Sequence, residues 1–156
     1  MKNSIILWLS MMLMCTTVIA KVSDNLLPKP QMISLKSGSF IMNKVALESS
    51  VLQSQWQDFI TESGGLVVDK AVRKIEVKLV PEVKGAKLNQ EEAYRLVVSS
   101  KHILVEATTE KGVYWALQTL RQLEEKKGRF EACEIVDWPA FKIVVSCTIS
   151  DAVICP

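Results

Sequence analysis

The fold is decided by residues 94–123, which read YRLVVSSKHILVEATTEKGVYWALQTLRQL. Apolar residues predominate over Tyr94 to Val98 and over Ile103 to Ala107, and both runs are predicted to be strands. The short polar segment between them predicts an antiparallel hairpin. A helix is predicted from about Glu110 to Lys126, because its apolar residues fall on one stripe.

The sequence on both sides extends this pattern. A helix is predicted over residues 51–62 from apolar residues at helical spacing, and Arg73 to Val80 alternates as a strand. Two short strands joined by a turn at Ser37-Gly38 are predicted before the first helix, and a last strand near Cys133 to Val136. Because the strands pair as hairpins and not through regular βα units, the fold class is α+β. We expect a mostly antiparallel β-sheet with two α-helices packed on one face.

Length and charge bound the function. The chain has 156 residues, 49% of them hydrophobic, and a formal net charge of +2; this is the size of one domain. A (β/α)8 barrel needs about 250 residues, so the chain is too short to contain one. The nearly balanced charge gives no case for a nucleic-acid partner or an anionic surface.

The first residues, 1–20, predict a secretory signal peptide. Lys2 gives a positive start, an apolar run follows over 5–14, and small or modest side chains precede a cleavage site before Lys21. The run is shorter than the about 20 apolar residues of a membrane-spanning helix. A lipoprotein acylated at Cys15 is less favoured, because the residue before it is bulky. We therefore expect a periplasmic or extracellular protein with no membrane attachment after cleavage.

No catalytic, cofactor-binding, metal-binding or substrate-binding residue is predicted. Cys133 is the one cysteine of the domain proper, and His102 is placed in a polar hairpin turn without a nucleophile or carboxylate partner, which argues against an internal disulfide or a metal cluster. The pairs Glu91-Glu92 and Glu124-Glu125 would diverge on a helix and form solvated faces. Tyr114-Trp115 could stack on a sugar, but packing against a sheet or a partner domain is the favoured interpretation.

Two motifs carry a resemblance to a known family. One is Gly112-Val-Tyr-Trp-Ala-Leu-Gln-Thr-Leu120 in the predicted second helix, and the other is Val136-Asp-Trp-Pro-Ala-Phe141 after the last strand. Together with the hairpin at 94–107 and the lead-in Leu27-Pro-Lys-Pro30, they resemble the N-terminal domain of bacterial family 20 glycoside hydrolases, the β-N-acetylhexosaminidases. The resemblance covers residues 25–143.

The resemblance implies a layout in which a small α+β domain precedes a catalytic (β/α)8 barrel. In that family an adjacent Asp-Glu pair of the barrel does the chemistry: the Glu protonates the leaving oxygen, and the Asp orients the substrate's own N-acetyl group as nucleophile. No Asp-Glu dipeptide occurs in this sequence. The chain is therefore expected to be inactive by itself, and its expected partner is the barrel of an enzyme that removes terminal N-acetylhexosamine from glycans.

The last residues depart from the family. Residues 144–156, VVSCTISDAVICP, do not match the first barrel strand, which begins Arg-Gly in the family. Back-translation of this tail with one cytosine restored before it gives Arg-Gly-Phe-Met-His-Asp-Ile, which resembles that strand. The sequence thus predicts a signal peptide over 1–20, the family domain over 21–137, the start of a linker over 138–143 and a frameshifted tail over 144–156. A genuine divergent C-terminus is the alternative.

Two functions stay open on this evidence. The leading one is the non-catalytic N-terminal domain of an exported β-N-acetylhexosaminidase. The alternative is a stand-alone exported module that binds carbohydrate or protein. No cofactor is implied by either. The helix face that would pack on a barrel, with Tyr114 and Trp115 on it, would be exposed in the fragment, so we expect self-association.

Overall fold

The computed structural model describes residues 26–140, and its main element is an eight-stranded sheet. The helices are α1, Gln53–Glu62, and α2, Glu110–Gln122, with a short 3-10 helix at Gln90–Glu92. The strands are β1 Met32–Ile41, β2 Lys44–Ser49, β3 Leu66–Val67, β4 Arg73–Leu79, β5 Tyr94–Val98, β6 His102–Ala107, β7 Glu124–Lys126 and β8 Arg129–Asp137. The predicted signal peptide, residues 141–143 of the predicted linker and the predicted tail lie outside the described residues.

The sheet is mixed and confirms the α+β class. Its strand order is β1-β8-β5-β6-β4-β2-β3, with β7 pairing with β8. Four pairings are antiparallel and three are parallel. The expectation that strands join only as hairpins is wrong for β2, which is followed by α1 and pairs in parallel with both β3 and β4. The three consecutive apolar residues Val45-Ala46-Leu47 conceal the period of two in that strand.

Both helices pack on one face of the sheet, as predicted. Trp56, Phe59 and Ile60 of α1 and Val113, Ala116, Leu117 and Leu120 of α2 belong to one hydrophobic cluster, which also holds the inward residues of the central strands. The ring centroids of Phe59 and Phe130 lie 5.8 Å apart in an edge-on arrangement. This shared apolar burial is the main stabilising contribution to the domain. None of the helices between residues 26 and 140 is long and apolar enough to cross a membrane.

The opposite face of the sheet carries charged side chains in paired rows. Arg95 on β5 lies 2.7 Å from Glu106 on β6 and 2.7 Å from Glu134 on β8, and Lys36 on β1 lies 2.6 Å from Glu134. The hydrogen bonds from Lys36 and Arg95 hold the pKa of the Glu134 carboxyl below its ordinary value. Such charge-assisted bonds between neighbouring strands fix the register of the sheet on a face that water reaches.

His102 differs from its predicted setting. It is the first residue of β6 and not part of the turn, and its Nε2 lies 3.1 Å from Oε2 of Glu76 on β4, in close contact without hydrogen-bond geometry. The parallel register of β4 and β6, which sets Lys74 opposite His102, brings this carboxylate near. The expectation that His102 has no carboxylate neighbour is therefore wrong, because that neighbour comes from a strand pairing that the local sequence does not encode.

Two further local predictions are corrected by glycine geometry. The predicted turn at Ser37-Gly38 is an irregularity within the single strand β1, where Gly38 has φ 107° and the pairing with β8 shifts. The predicted second helix ends at Gln122 and not near Lys126, because the following residues form β7 and turn at Gly128, which has φ 75°. Both glycines adopt a left-handed backbone that other residues rarely adopt.

Candidate functional site

The outer side of α2 carries an exposed aromatic pair. Val113, Ala116 and Leu117 form the inward stripe of the helix. Because of the helical period, Tyr114 and Trp115 therefore point away from the sheet. These two residues are 42% and 46% exposed, and their rings meet edge to face with centroids 5.4 Å apart. Two adjacent large aromatic rings on a solvent-facing helix are typical of a surface that another molecule covers.

Two concavities lie on either side of Trp115. The first, which we call the linker cleft, has a volume of about 480 Å³ and is lined by Lys29, Glu92, Tyr94, Trp115, Asp137 and Trp138 among others. The second, the helix cleft, has a volume of about 410 Å³ and is lined by Leu52, Glu92, Glu110, Lys111, Tyr114 and Trp115. We refer to the aromatic pair together with both clefts as the Trp115 surface. Glu92 and Trp115 border both clefts.

A partly buried hydrogen-bond junction supports the wall of the linker cleft. The Tyr94 hydroxyl lies 2.5 Å from Oγ1 of Thr119 and donates to Oδ2 of Asp137 at 3.4 Å. The other carboxylate oxygen of Asp137 accepts a hydrogen bond from the backbone N–H of Gln31 at 3.0 Å. The junction therefore joins β5, α2, the end of β8 and the lead-in segment at one place.

The Tyr94 phenol serves this junction as a neutral group. Burial raises the pKa of Tyr94 far above its ordinary value, and the nearby Asp137 carboxylate raises it further, while the bond with Thr119 opposes the shift only in part. A phenol of this kind stays protonated at physiological pH. Its contribution is positional, and it offers no acid–base chemistry.

The spacing of the helix motif has a packing explanation in this chain. A Cβ atom at Gly112 would lie 2.4 Å from the carbonyl oxygen of Ala93 and 2.9 Å from Cβ of Ala107, so only glycine lets α2 approach β5 and β6 this closely. Further along the helix, the Gln122 amide accepts from the N–H of Leu27 at 2.8 Å and donates to its carbonyl at 3.0 Å. These residues attach the helix to the sheet and the lead-in to the helix.

Leu52 is held in an unusual backbone conformation at the rim of the helix cleft. It precedes α1 with φ 53° and ψ 34°, in the left-handed region. A non-glycine residue in such a region costs about 1–3 kcal/mol, and strain of this kind is concentrated at functional surfaces. The left-handed conformation of Leu52 directs the chain into α1, and Leu52 lines the same cleft as Tyr114 and Trp115.

The titratable groups that the sequence singles out take up structural positions in the described part of the chain. In residues 26–140 no group of three or more His, Cys, Asp or Glu side chains is placed to hold a metal ion. Asp137 is committed to Tyr94 and Gln31, and His102 contacts Glu76 on β4 of the sheet. Burial raises the pKa of the Cys133 thiol to about 11, so this cysteine is an inert core residue.

The structure thus brings together only part of what the sequence singles out. Tyr114, Trp115 and Glu92 meet at one surface, whereas Glu124 and Glu125 lie on β7. The roles of Asp137 and Gln122 are not visible from spacing, because their partners are distant in sequence. Of the residues around the linker cleft, the segment Asp137-Trp138-Pro139 gives a signal in the sequence, because a polar, an aromatic and a rigid residue follow one another at the end of a strand.

Comparison with known proteins gives a family match over most of the chain. A family model described as "Glycosyl hydrolase family 20, domain 2" matches residues 23–138. The fold is similar to part of the β-N-acetylhexosaminidase from Bacteroides fragilis, at 24% identity and a TM-score of 0.53, covering 74% of this chain and 25% of that chain.

Two further solved structures give the same result. The exo β-N-acetylglucosaminidase from Vibrio harveyi matches at 24% identity and a TM-score of 0.57, over 81% of this chain and 20% of that one. The β-N-acetylhexosaminidase from Streptomyces coelicolor matches at 16% identity and a TM-score of 0.58, over 78% of this chain and 28% of that one. These structural similarities show that the fold is shared. The chain spans between 20% and 28% of the length of these three proteins.

Proposed function

The chain belongs to glycosyl hydrolase family 20 as its domain 2, and on this premise we propose that it is the non-catalytic accessory domain of an exported β-N-acetylhexosaminidase. In this proposal a separate barrel removes terminal N-acetylhexosamine from glycans by the substrate-assisted retaining route. The domain described by residues 26–140 supplies mechanical support and a docking surface. The names of the solved structures that share its fold, all far longer than this chain, support the assignment.

The Trp115 surface is the observation that carries the proposal. Docking of a barrel there would cover an indole that is 46% exposed. Covering about 100 Å² of aromatic surface contributes about 2.5 kcal/mol to the free energy of docking. The clefts on both sides of the indole provide room for protruding side chains of the partner, which is how anchoring residues of stable interfaces are held.

The position of the linker supports the same surface. Trp138, Pro139 and Ala140, the last described residues, form part of the lining of the linker cleft. A domain that follows this segment therefore begins beside Trp115. Short connections place consecutive units next to each other, which supports docking of a following barrel at this surface.

The proposal is tested in the longer protein that is encoded when one nucleotide is restored after the codon for Ile143. We expect this protein to release p-nitrophenol from p-nitrophenyl N-acetyl-β-D-glucosaminide, whereas the chain of 156 residues does not. Trp115→Ser should lower the melting temperature of the longer protein, because the indole no longer fills the interface. Leu79→Ser is the matched control, since Leu79 is 47% exposed on β4.

Either of two results would overturn the proposal. The first is a nucleotide sequence after codon 143 that encodes no barrel with an adjacent Asp-Glu pair in any frame. The second is a longer enzyme whose melting temperature falls no more in Trp115→Ser than in Leu79→Ser. The first result would contradict the existence of the parent enzyme, and the second would contradict the docking role of the Trp115 surface.

A carbohydrate-binding module is the second candidate function, and the composition of the linker cleft favours it. The exposed Trp115 ring offers a stacking face, and the Glu92 carboxylate lines the same cleft as a hydrogen-bond acceptor. Titration of the ¹⁵N-labelled chain with chitotetraose separates the two functions. A saturable shift of the Trp115 indole resonance supports the module, and an unchanged resonance supports the accessory domain.

A further inference from the structure

The loop between β4 and β5 covers one end of the charged face of the sheet. Val83 and Ala93 from this loop pack with Val136 and Trp138 in a second apolar cluster, separate from the main core. Val136 lies opposite Arg95 in the pairing of β5 and β8, which assigns it to the charged face. Trp138 is only 8% exposed in this cluster. The residue that directly follows β8 and begins the linker is thus anchored by the second apolar cluster.

Gln90 fixes the loop in place. Its Oε1 accepts a hydrogen bond from the N–H of Val83 at 2.9 Å, and its Nε2 donates to the carbonyl of Ala86 at 3.0 Å. The Thr108 hydroxyl donates to the carbonyl of Gln90. The loop is therefore tied both to itself and to the connection between β6 and α2.

Asn89 reaches from this loop to the linker. Its Nδ2 donates to the carbonyl oxygen of Pro139 at 2.6 Å, across 50 positions of the chain. The backbone of Asn89 is left-handed, with φ 47° and ψ 51°. Asparagine is one of the few residues that visit this region readily. The conformation, the residue type and the hydrogen bond are thus mutually consistent.

We propose that Asn89 and Trp138 form a lock that sets the direction in which the chain leaves the sheet. Trp138 is held by the second cluster, and Asn89 holds the next carbonyl, so two successive residues are fixed by different means. The same segment lines the linker cleft. Asn89 is therefore a positioning residue for the docking surface, and only the identity of the docked domain rests on the function proposed above.

Exchange of the indole N–H protons tests the lock in the ¹⁵N-labelled chain of 156 residues. Asn89→Asp keeps the tolerance for the left-handed backbone and replaces the donor with an acceptor. In this variant the hydrogen bond from Asn89 to the carbonyl of Pro139 is lost, and the segment that holds Trp138 opens more often. We therefore expect the Trp138 indole proton to exchange about two- to tenfold faster, which corresponds to the loss of one hydrogen bond. The Trp56 indole proton, which lies in the main core without a hydrogen-bond partner, should exchange at its original rate.

Asn43→Asp is the matched control, because Asn43 is exposed at the other end of the sheet between β1 and β2. It should leave both indole rates unchanged. If Asn89→Asp does not fold, Asn89→Gly replaces it, since glycine also adopts the left-handed backbone and lacks the amide.

Two outcomes overturn the lock. One is an unchanged Trp138 rate in the Asn89 variant. The other is an equal acceleration of the Trp138 and Trp56 protons, which indicates a loss of overall stability and no local role. Neither outcome affects the docking test, because that test measures the melting temperature of the longer enzyme.

Discussion

Substitution of Gly112 by alanine gives the strongest test of how α2 sits on the sheet. The added Cβ would lie 2.4 Å from the carbonyl oxygen of Ala93, whereas ordinary contact begins at 3.4 Å. The shortfall is therefore 1.0 Å, and the opposing atom belongs to the backbone. Cβ of Ala107, at 2.9 Å, blocks a second direction of relief. The first turn of α2 has to move away from β5 and β6.

Two contributions of opposite sign set the magnitude. Overpacking in a filled core costs about 1–3 kcal/mol, and a backbone obstacle places this substitution in the upper part of that range. Alanine stabilises a helix over glycine by about 1 kcal/mol. We expect a net loss of about 1–2 kcal/mol in the free energy of unfolding, which lowers the melting temperature by about 5 °C in a domain of this size.

Urea unfolding of the chain, followed by tryptophan fluorescence, measures this loss. Lys111→Ala, at the exposed neighbouring position of α2, is the control and should change the free energy of unfolding by less than about 0.5 kcal/mol. A Gly112→Ala variant that unfolds at higher urea than the unmodified chain would refute the reasoning. In that case helix propensity would dominate, and the close approach of α2 to Ala93 would be wrong.

Three further predictions concern charge, association and export. Because Lys36 and Arg95 lower the folded-state pKa of Glu134, its stabilising contribution is present above the ordinary carboxyl pKa and is lost as the pH falls through the folded value. Arg95→Met should therefore flatten the decline of the unfolding free energy between about pH 5 and pH 3, and an unaltered decline in urea titrations would count against the Glu134 pairing. The isolated chain should self-associate through the Trp115 surface, so that Trp115→Ser sediments as a monomer at concentrations where the unmodified chain does not; equal sedimentation coefficients would contradict this. When the full chain is expressed in a Gram-negative host, Edman degradation of the exported protein should begin at Lys21, and a retained Met1 would remove the predicted cleavage.

The sequence predicts those parts of the fold that depend on local periodicity. Residues 94–107 form the expected hairpin, because the alternation of Leu96, Val98, Ile103 and Val105 leaves one face to bury. Strand β2 and the parallel pairings escape prediction, because they depend on contacts between segments far apart in the chain. The neighbours of His102 follow from such a pairing.

The same limit applies to the candidate site. Tyr114 and Trp115 stand out in the sequence because they are adjacent aromatic residues that fall outside the apolar stripe which the helix buries. The junction of Tyr94 with Asp137 joins residues 43 positions apart, and the bond from Asn89 to Pro139 spans 50. Side-chain bonds over such separations leave no periodic signal, so only the folded chain reveals them.

The antiparallel pairing of β1 with β8 determines how this domain responds to mechanical load. Met32 at the start of β1 lies opposite Val136 near the end of β8, so the preceding and following segments leave from the same end of the strand pair. Opposing forces on these segments would break the ladder bonds one after another, because each bond in turn carries the load. The bond from Gln31 to Asp137 and the contact of Gln122 with Leu27 lie at that end. These few polar contacts would open first under tension, and an attached domain that covers them would delay the opening.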